Sequence, residues 1–176
     1  GAVAADNTVV LKPSEHAPHT AAVIEKIITA VFPEAWVTVV QGGPETAENL
    51  LQLRWDYIFF TGGVRVGKLV AQAAAAHLTP TTLELGGKNP CIVDQTANIK
   101  VSARRIAWGK YMNCGQICMS PDYLLVHKSK YQVLLTALKS EIVRMYGDNP
   151  KTSKDYARLV HKKHATAMVN LLDGQD

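Results

Sequence analysis

The sequence predicts an α/β protein built on an open parallel sheet, and three observations carry that expectation. Short β-branched or aromatic runs alternate with amphipathic helical stretches, the connections between them are short, and Gly or Pro punctuates most of them. Strand, helix, strand, helix in that order implies right-handed crossovers with helices on both faces of the sheet.

The elements follow in order. Asn7 to Lys12 (NTVVLK) is a buried strand stopped by Pro13, whose ring has no ladder donor and turns Lys12 away from helix. From His19 to Phe32, the residues Ala22, Val23, Ile27, Ile28 and Val31 recur at three- and four-residue steps before Pro33, which predicts a helix. Val37 to Val40 is the next strand, Gly42-Gly43-Pro44 a turn, and Glu45 to Leu53 a short helix. Tyr57 to Phe60 (YIFF) is continuously apolar, as in a strand covered on both faces, and the glycine-bearing loop Thr61 to Gly67 leads into an alanine-rich helix reaching His77. Thr82 to Leu85 and Cys91 to Val93 flank Gly86-Gly87 as two more strands. Beyond them a second α/β unit is expected: helix Asn98–Tyr111, loop Met112–Asp122, strand Tyr123–His127, helix Tyr131–Tyr146 capped by Gly147, and a last helix from about Lys162 to Leu172.

Composition narrows the function classes. Of the 176 residues, 47% are hydrophobic and 19% charged, which places the chain among globular proteins, and no apolar run reaches the ~18–20 residues of a membrane helix. The net charge of +4 comes from the stretch after residue 125. Its basic residues, from Lys128 to Lys163, are spread out with no aromatic platform among them, so a solvated face is expected and no nucleic-acid partner. Three cysteines, Cys91, Cys114 and Cys118, are too few for a disulfide framework and lack the partners for a metal site, so no metal and a cytoplasmic setting are expected. The opening GAVAADNTVV has no signal-peptide pattern, and both ends read as lying inside a longer protein.

Several residues could do chemistry. The turn bearing Gly62 and Gly67 joins a strand to a helix, where free backbone N–H groups can receive a phosphate; its spacing is not that of the dinucleotide fingerprint, so a plain tight turn is the alternative. Lys12 and Glu15 stand beyond the end of a parallel strand, where open sheets bind nucleotides; both could reach ribose hydroxyls, or be a solvated Lys and a helix-start Glu. Cys118 lies in the Gly/Pro-bounded loop Asn113 to Pro121, where a thiol can be exposed and activated, whereas Cys91 reads as a small buried hydrophobe. Glu84 is an acid in an apolar strand; burial would suit it to general-base work, unless it faces solvent.

At these residues the chain resembles the aldehyde dehydrogenase superfamily. Leu83-Glu84-Leu85-Gly86-Gly87-Lys88 is similar to the family's glutamate signature and Gly115-Gln116-Ile117-Cys118 to its cysteine signature, and Glu84 and Cys118 stand 34 positions apart, the family's usual offset. Leu11-Lys12-Pro13-Ser14-Glu15, Tyr57 to Gly62, Arg65-Val66-Gly67-Lys68, Leu78-Thr79-Pro80 and Pro121-Asp122-Tyr123 fit the class 3 branch, the fatty and aromatic aldehyde dehydrogenases.

The resemblance implies a Rossmann-like cofactor-binding sheet followed by the start of a second α/β catalytic domain. Residues 1–85 would be the C-terminal part of the NAD(P)-binding domain and 86–176 the N-terminal part of the catalytic domain. It implies oxidation of a medium- or long-chain aliphatic or aromatic aldehyde with NAD or NADP, Cys118 as nucleophile and Glu84 as base. Lys12 and Glu15 would hold the adenosine ribose, Gly62 and Gly67 would lie beside the pyrophosphate, and the parent protein would be a homodimer. The alternative is an incomplete, non-catalytic dinucleotide-binding fragment, because the family's oxyanion Asn comes from a segment this sequence does not contain, and neither Asn89 nor Asn113 fits that role. Gly63 where Ser is usual, Asp6 where Gly is common and Cys114 where a small residue is usual are departures from the family pattern.

Overall fold

Pro18 stands in the first turn of a helix, where its missing N–H leaves nothing unpaired, and the chain leaves that helix at Phe32 in extended conformation. This helix, α1 (Pro18–Val31), is the crossover between β1 (Val9–Leu11) and β2 (Val37–Val39), which pair in parallel with Val9 opposite Val37 and Leu11 opposite Val39. The computed structural model describes residues 1–172; residues 173–176, the tail of the expected second segment, lie outside the described residues.

Two compact units make up the chain, one of residues 1–60 and 68–82, the other of residues 61–67 and everything from Leu83 onward. In the first, α1 packs on β2 and buries Ala21, and α2 (Pro44–Leu51) follows the turn at Gly42-Gly43. Strand β3 (Ile58–Thr61) pairs with β4 (Thr81–Glu84), and α3 (Val64–Ala76) connects them. Ile58 N–H donates to Pro80 O and Gly62 N–H to Glu84 O, a constant offset that parallel strands give. Among the described residues the strands thus form three two-stranded sheets, β1 with β2, β3 with β4 and a third pair described next. The expectation that β3 is covered on both faces is corrected: Ile58 and Phe60 are half-buried but Phe59 is 67% exposed, because the residues of this unit cover one side of the strand only.

The second unit centres on β5 (Asn89–Val93) and β6 (Pro121–Val126), parallel, with a register slip between Asn89 and Pro90. Two helices cover them, α4 (Ile99–Tyr111) and α5 (Tyr131–Tyr146). Ala103 and Ala107 on α4 are fully buried, and such small side chains let α5 approach closely; Val93, Ile106 and Leu134 fill the core, with Cys91 packed against it. The Asn98 side chain accepts from Val101 N–H at 3.1 Å and starts α4, while Gly147, with φ of +78°, lets the chain leave α5 in a conformation other residues reach only with strain. A short α6 (Lys162–Asn170) follows. Among the described residues, no helix is long and apolar enough to cross a membrane.

Candidate active site

The loop carrying Cys118 begins where α4 is forced to reverse. Asn113, Cys114 and Gly115 take left-handed φ of +50°, +57° and +76° in succession, a conformation that costs an L-residue roughly 1–2 kcal/mol. Side-chain hydrogen bonds hold the turn: Asn113 Nδ2 donates to Gln116 O at 3.2 Å, and Gln116 Nε2 donates to Asn113 O at 2.9 Å. The chain then presents Cys118 to solvent and re-enters the core at buried Ser120, whose N–H donates to Ile117 O. Of the three free thiols Cys118 is exposed, and Cys91 and Cys114 are half-buried.

The turn after β4 meets this loop. At Gly87 a Cβ would stand 2.7 Å from the Cys118 carbonyl oxygen and 2.9 Å from Asn89 Nδ2, so only a residue without a side chain allows the approach. Asn89 Nδ2 donates to Cys118 O at 2.7 Å and to Ser120 O at 3.1 Å. Both amide hydrogens are therefore engaged with the loop backbone, as the one from Asn113 is with Gln116. Lys88 and Lys110 lie 3.6 and 4.0 Å from Asp122 across the same region. Glu84 closes β4 with its carbonyl held by Gly62 N–H at 2.9 Å, and its side chain is exposed. Of the two sequence readings of this residue, the one facing solvent describes its place in this chain. The turn bearing Glu84 and the loop bearing Cys118 thus join through Gly87, Asn89 and Cys118 O.

The remaining candidates are Lys12 with Glu15 and Gly62 with Gly67. Lys12 and Glu15 follow β1, with Lys12 Nζ 3.3 Å from Glu15 Oε2 and 3.1 Å from Pro13 O. The backbone N–H of Glu15 and the Lys12 ammonium hold the Glu15 carboxyl below its ordinary range, so it is an ionised acceptor at neutral pH. Gly62 lies in the turn between β3 and α3, and at neighbouring Gly63 a Cβ would meet nothing within 4 Å. Gly67 is buried in the first turns of α3, where a Cβ would fall 2.7 Å from Leu85 Cδ2; its absence allows close packing of helix on strand end.

Sequence reasoning gave no role to Gln116, Tyr156 or Arg158. Tyr156 packs edge-on against Tyr111 and Tyr146, with ring centroids 6.2 and 5.1 Å away. Its burial, together with the Cys114 thiol beside its hydroxyl, pushes its pKa up to about 12. A polar side chain inside the cysteine signature was the one available signal for Gln116; besides Asn113 O, its partners lie more than 40 residues downstream.

Against known proteins, a model of the aldehyde dehydrogenase family matches residues 1–175. The chain is 49% identical over 173 residues to 4,4'-diaponeurosporen-aldehyde dehydrogenase of Staphylococcus aureus, covering 98% of this chain and 38% of that protein. To aldehyde dehydrogenase family 3 member A2 of Macaca fascicularis it is 45% identical over 175 residues, 99% of this chain and 36% of the relative. The chain thus spans little more than a third of the length of the curated relatives it matches. Among solved structures, the substrate-bound state of Staphylococcus aureus AldH superposes with a TM-score of 0.88 at 47% identity, covering 97% of this chain and 37% of that one. The aldehyde dehydrogenase of Mycobacterium tuberculosis complexed with NAD+ superposes with a TM-score of 0.82 at 29% identity, covering 94% and 35%.

Proposed function

Since the chain belongs to the aldehyde dehydrogenase family, with class 3 relatives, we propose that it carries the nucleophile, the base and part of the cofactor site of an enzyme that oxidises an aldehyde to a carboxylic acid. Residues 1–85 are read as part of the NAD(P)-binding domain and 86–176 as the start of the catalytic domain. The observation that carries this reading is the junction of Gly87 and Asn89 with Cys118 O, which ties the turn bearing Glu84 to the loop bearing Cys118.

In the proposed reaction the Cys118 thiolate adds to the aldehyde carbonyl, and the Cys118 backbone N–H stabilises the oxyanion of the thiohemiacetal. NAD or NADP, when bound, supplies the acceptor for the two electrons that separate thiohemiacetal from thioester. Glu84 then takes a proton from the water that attacks the thioester, and Cys118 leaves as thiolate. Because Glu84 is exposed, its role as base rests on the family motif and on the junction of its turn with the cysteine loop, not on burial.

The residues present fit a dinucleotide. An ionised Glu15 beside the Lys12 ammonium is an acceptor and donor pair for vicinal ribose hydroxyls, and the turn at Gly62 precedes a 13-residue helix, with nothing within 4 Å of a Cβ at neighbouring Gly63, a setting in which backbone N–H groups can receive a pyrophosphate. Gly67 supports that turn by letting α3 sit close to Leu85. The likeness to 4,4'-diaponeurosporen-aldehyde dehydrogenase and to a family 3 aldehyde dehydrogenase supports a medium- or long-chain aliphatic or aromatic aldehyde as substrate. A cytoplasmic homodimer completes the reading, free thiols being suited to a reducing compartment.

A second reading, a dinucleotide-binding stretch that is not catalytic by itself, is favoured by one observation: both amide hydrogens of Asn89 are committed to the backbone carbonyls of Cys118 and Ser120, so Asn89 does not serve an oxyanion. The deciding experiment is Glu84→Gln in the full protein. It should still form one equivalent of thioester and release one burst of NADH, with turnover lost. Burst and steady state falling together would assign Glu84 to thiol deprotonation, and normal turnover would remove it from the site altogether.

A further inference from the structure

The Gln116 side chain makes two hydrogen bonds from the cysteine loop to a distant segment. Besides its bond to Asn113 O, its Nε2 donates to Arg158 O at 3.2 Å, and its Oε1 accepts from Val160 N–H at 3.0 Å. One half-buried amide therefore joins the turn before the thiol to a segment 42 and 44 residues downstream. A flexible surface loop would make a poor anchor, but this one is fastened from inside. The Arg158 guanidinium donates to Lys151 O at 2.8 Å, to Ser153 O at 3.4 Å, to Ala157 O at 3.2 Å and to Tyr156 O. Its cation closes residues 151–158 on themselves, and a charged donor makes each such bond stronger than a neutral one would. The Tyr156 ring, wedged between Tyr111 and Tyr146, fixes the same segment to the ends of α4 and α5, and places its hydroxyl beside Cys114.

We propose that Gln116 is a positioning residue for Cys118, and that the Arg158-fastened loop is the platform on which it holds the thiol. The inference rests on the reading of Cys118 as nucleophile and deepens it. The turn Asn113–Gly115 is left-handed throughout, so it has no helical or strand ladder to define where the following residues sit. From the Gly87 side the loop is held at Cys118 O and Ser120 O by Asn89; toward the downstream segment it is held by Gln116, through Arg158 O and Val160 N–H, and farther from the thiol by Cys114 beside the Tyr156 hydroxyl. Releasing that second hold lets the thiol wander by a distance comparable with its reach, and about 1 Å of misplacement costs on the order of 100-fold in rate.

The test is made in the full protein with Gln116→Ala and Arg158→Lys, the second keeping the positive charge but losing the fork that spans the carbonyls. Three readouts are taken: the rate of iodoacetamide labelling at Cys118 by peptide mapping, kcat and KM for octanal with NAD+, and the thermal midpoint. Both variants should slow labelling of Cys118 and lower kcat by the same factor, about 10- to 100-fold, with KM within twofold of the parent. Labelling and kcat at parental values in both, or a loss confined to KM, would overturn the proposal. Should Gln116→Ala lower the thermal midpoint below the assay temperature, Arg158→Lys carries the test by itself. A Cys118→Ser protein is run alongside: if it still turns over, the nucleophile reading fails, while the dependence of Cys118 labelling on Gln116 is still read directly from the labelling rates.

Discussion

Replacing Gly87 by Ala tests the join between the two motifs with a single methyl group. The new Cβ would lie 2.7 Å from the Cys118 carbonyl oxygen, whereas ordinary contact begins near 3.4 Å, so one partner must retreat by about 0.7 Å. Neither the oxygen nor Asn89 Nδ2, 2.9 Å from the same point, is the loose end of a long side chain, and they are bonded to each other at 2.7 Å. The cysteine loop must therefore move. Overpacking of this kind costs about 1–3 kcal/mol, and loss of the Asn89 bond adds about 1 kcal/mol. A loop shift of that size should slow alkylation of Cys118 and aldehyde turnover by roughly 10- to 50-fold, scaled from about 100-fold per ångström. Urea unfolding and iodoacetamide labelling of the full protein supply the two numbers. Gly86→Ala is the control, because a Cβ there meets nothing within 4 Å; its unfolding free energy should stay within about 0.5 kcal/mol of the parent. If the two alanine variants behave alike, the glutamate turn and the cysteine loop are not pressed together as described.

Other expectations follow from single residues. Iodoacetamide near neutral pH should label Cys118 before Cys114 or Cys91, since Cys118 is the exposed thiol, and preferential labelling of Cys114 in the full protein would contradict the assignment. Glu15→Gln should raise the ratio of NADP+ to NAD+ use several-fold by removing an anion that repels a 2′-phosphate, measured as the ratio of kcat/KM values; an unchanged ratio places Glu15 away from the ribose. Because Tyr156 keeps its proton to about pH 12 when folded and to about 10 when unfolded, the unfolded chain binds fewer protons between those values, and stability should fall as pH rises through that window. Tyr156→Phe should flatten this alkaline limb in pH-dependent thermal unfolding, and an identical slope would show that the phenol titrates freely.

Local pattern made much of the architecture readable. The helix expected from Tyr131 to Tyr146 has those bounds because an apolar period runs unbroken between a turn and a glycine whose φ is positive. The start of α4 was readable in the same way, from an Asn that caps its own helix. Burial was less legible: YIFF reads as a strand hidden on both sides, yet Phe59 is exposed, because coverage depends on neighbours that a four-residue run does not encode. The same limit applies to Glu84, whose apolar flanks suggested burial while its position at the end of β4 leaves it exposed. Cys118 and Glu84 stood out as reactive residue types in characteristic surroundings. What Gly87 and Gln116 do was not legible, since each acts on backbone atoms 31 to 44 residues away, and no periodicity or spacing reports such a contact.

The knot of carbonyls around Arg158 also decides where a protease can enter. Trypsin has to seat a free cationic side chain in its specificity pocket, and the Arg158 guanidinium, though exposed, is already hydrogen-bonded to Lys151 O, Ser153 O, Tyr156 O and Ala157 O. Lys151 and Lys154 in the same turn-rich segment are exposed and make no such bonds among those described. Limited digestion should therefore nick this region first after Lys154, since the carbonyl of Lys151 is itself held in the clasp, and spare the arginine until the segment has opened. The order of fragments released then becomes a direct record of whether the clasp is shut, obtainable from a gel without any ligand or activity.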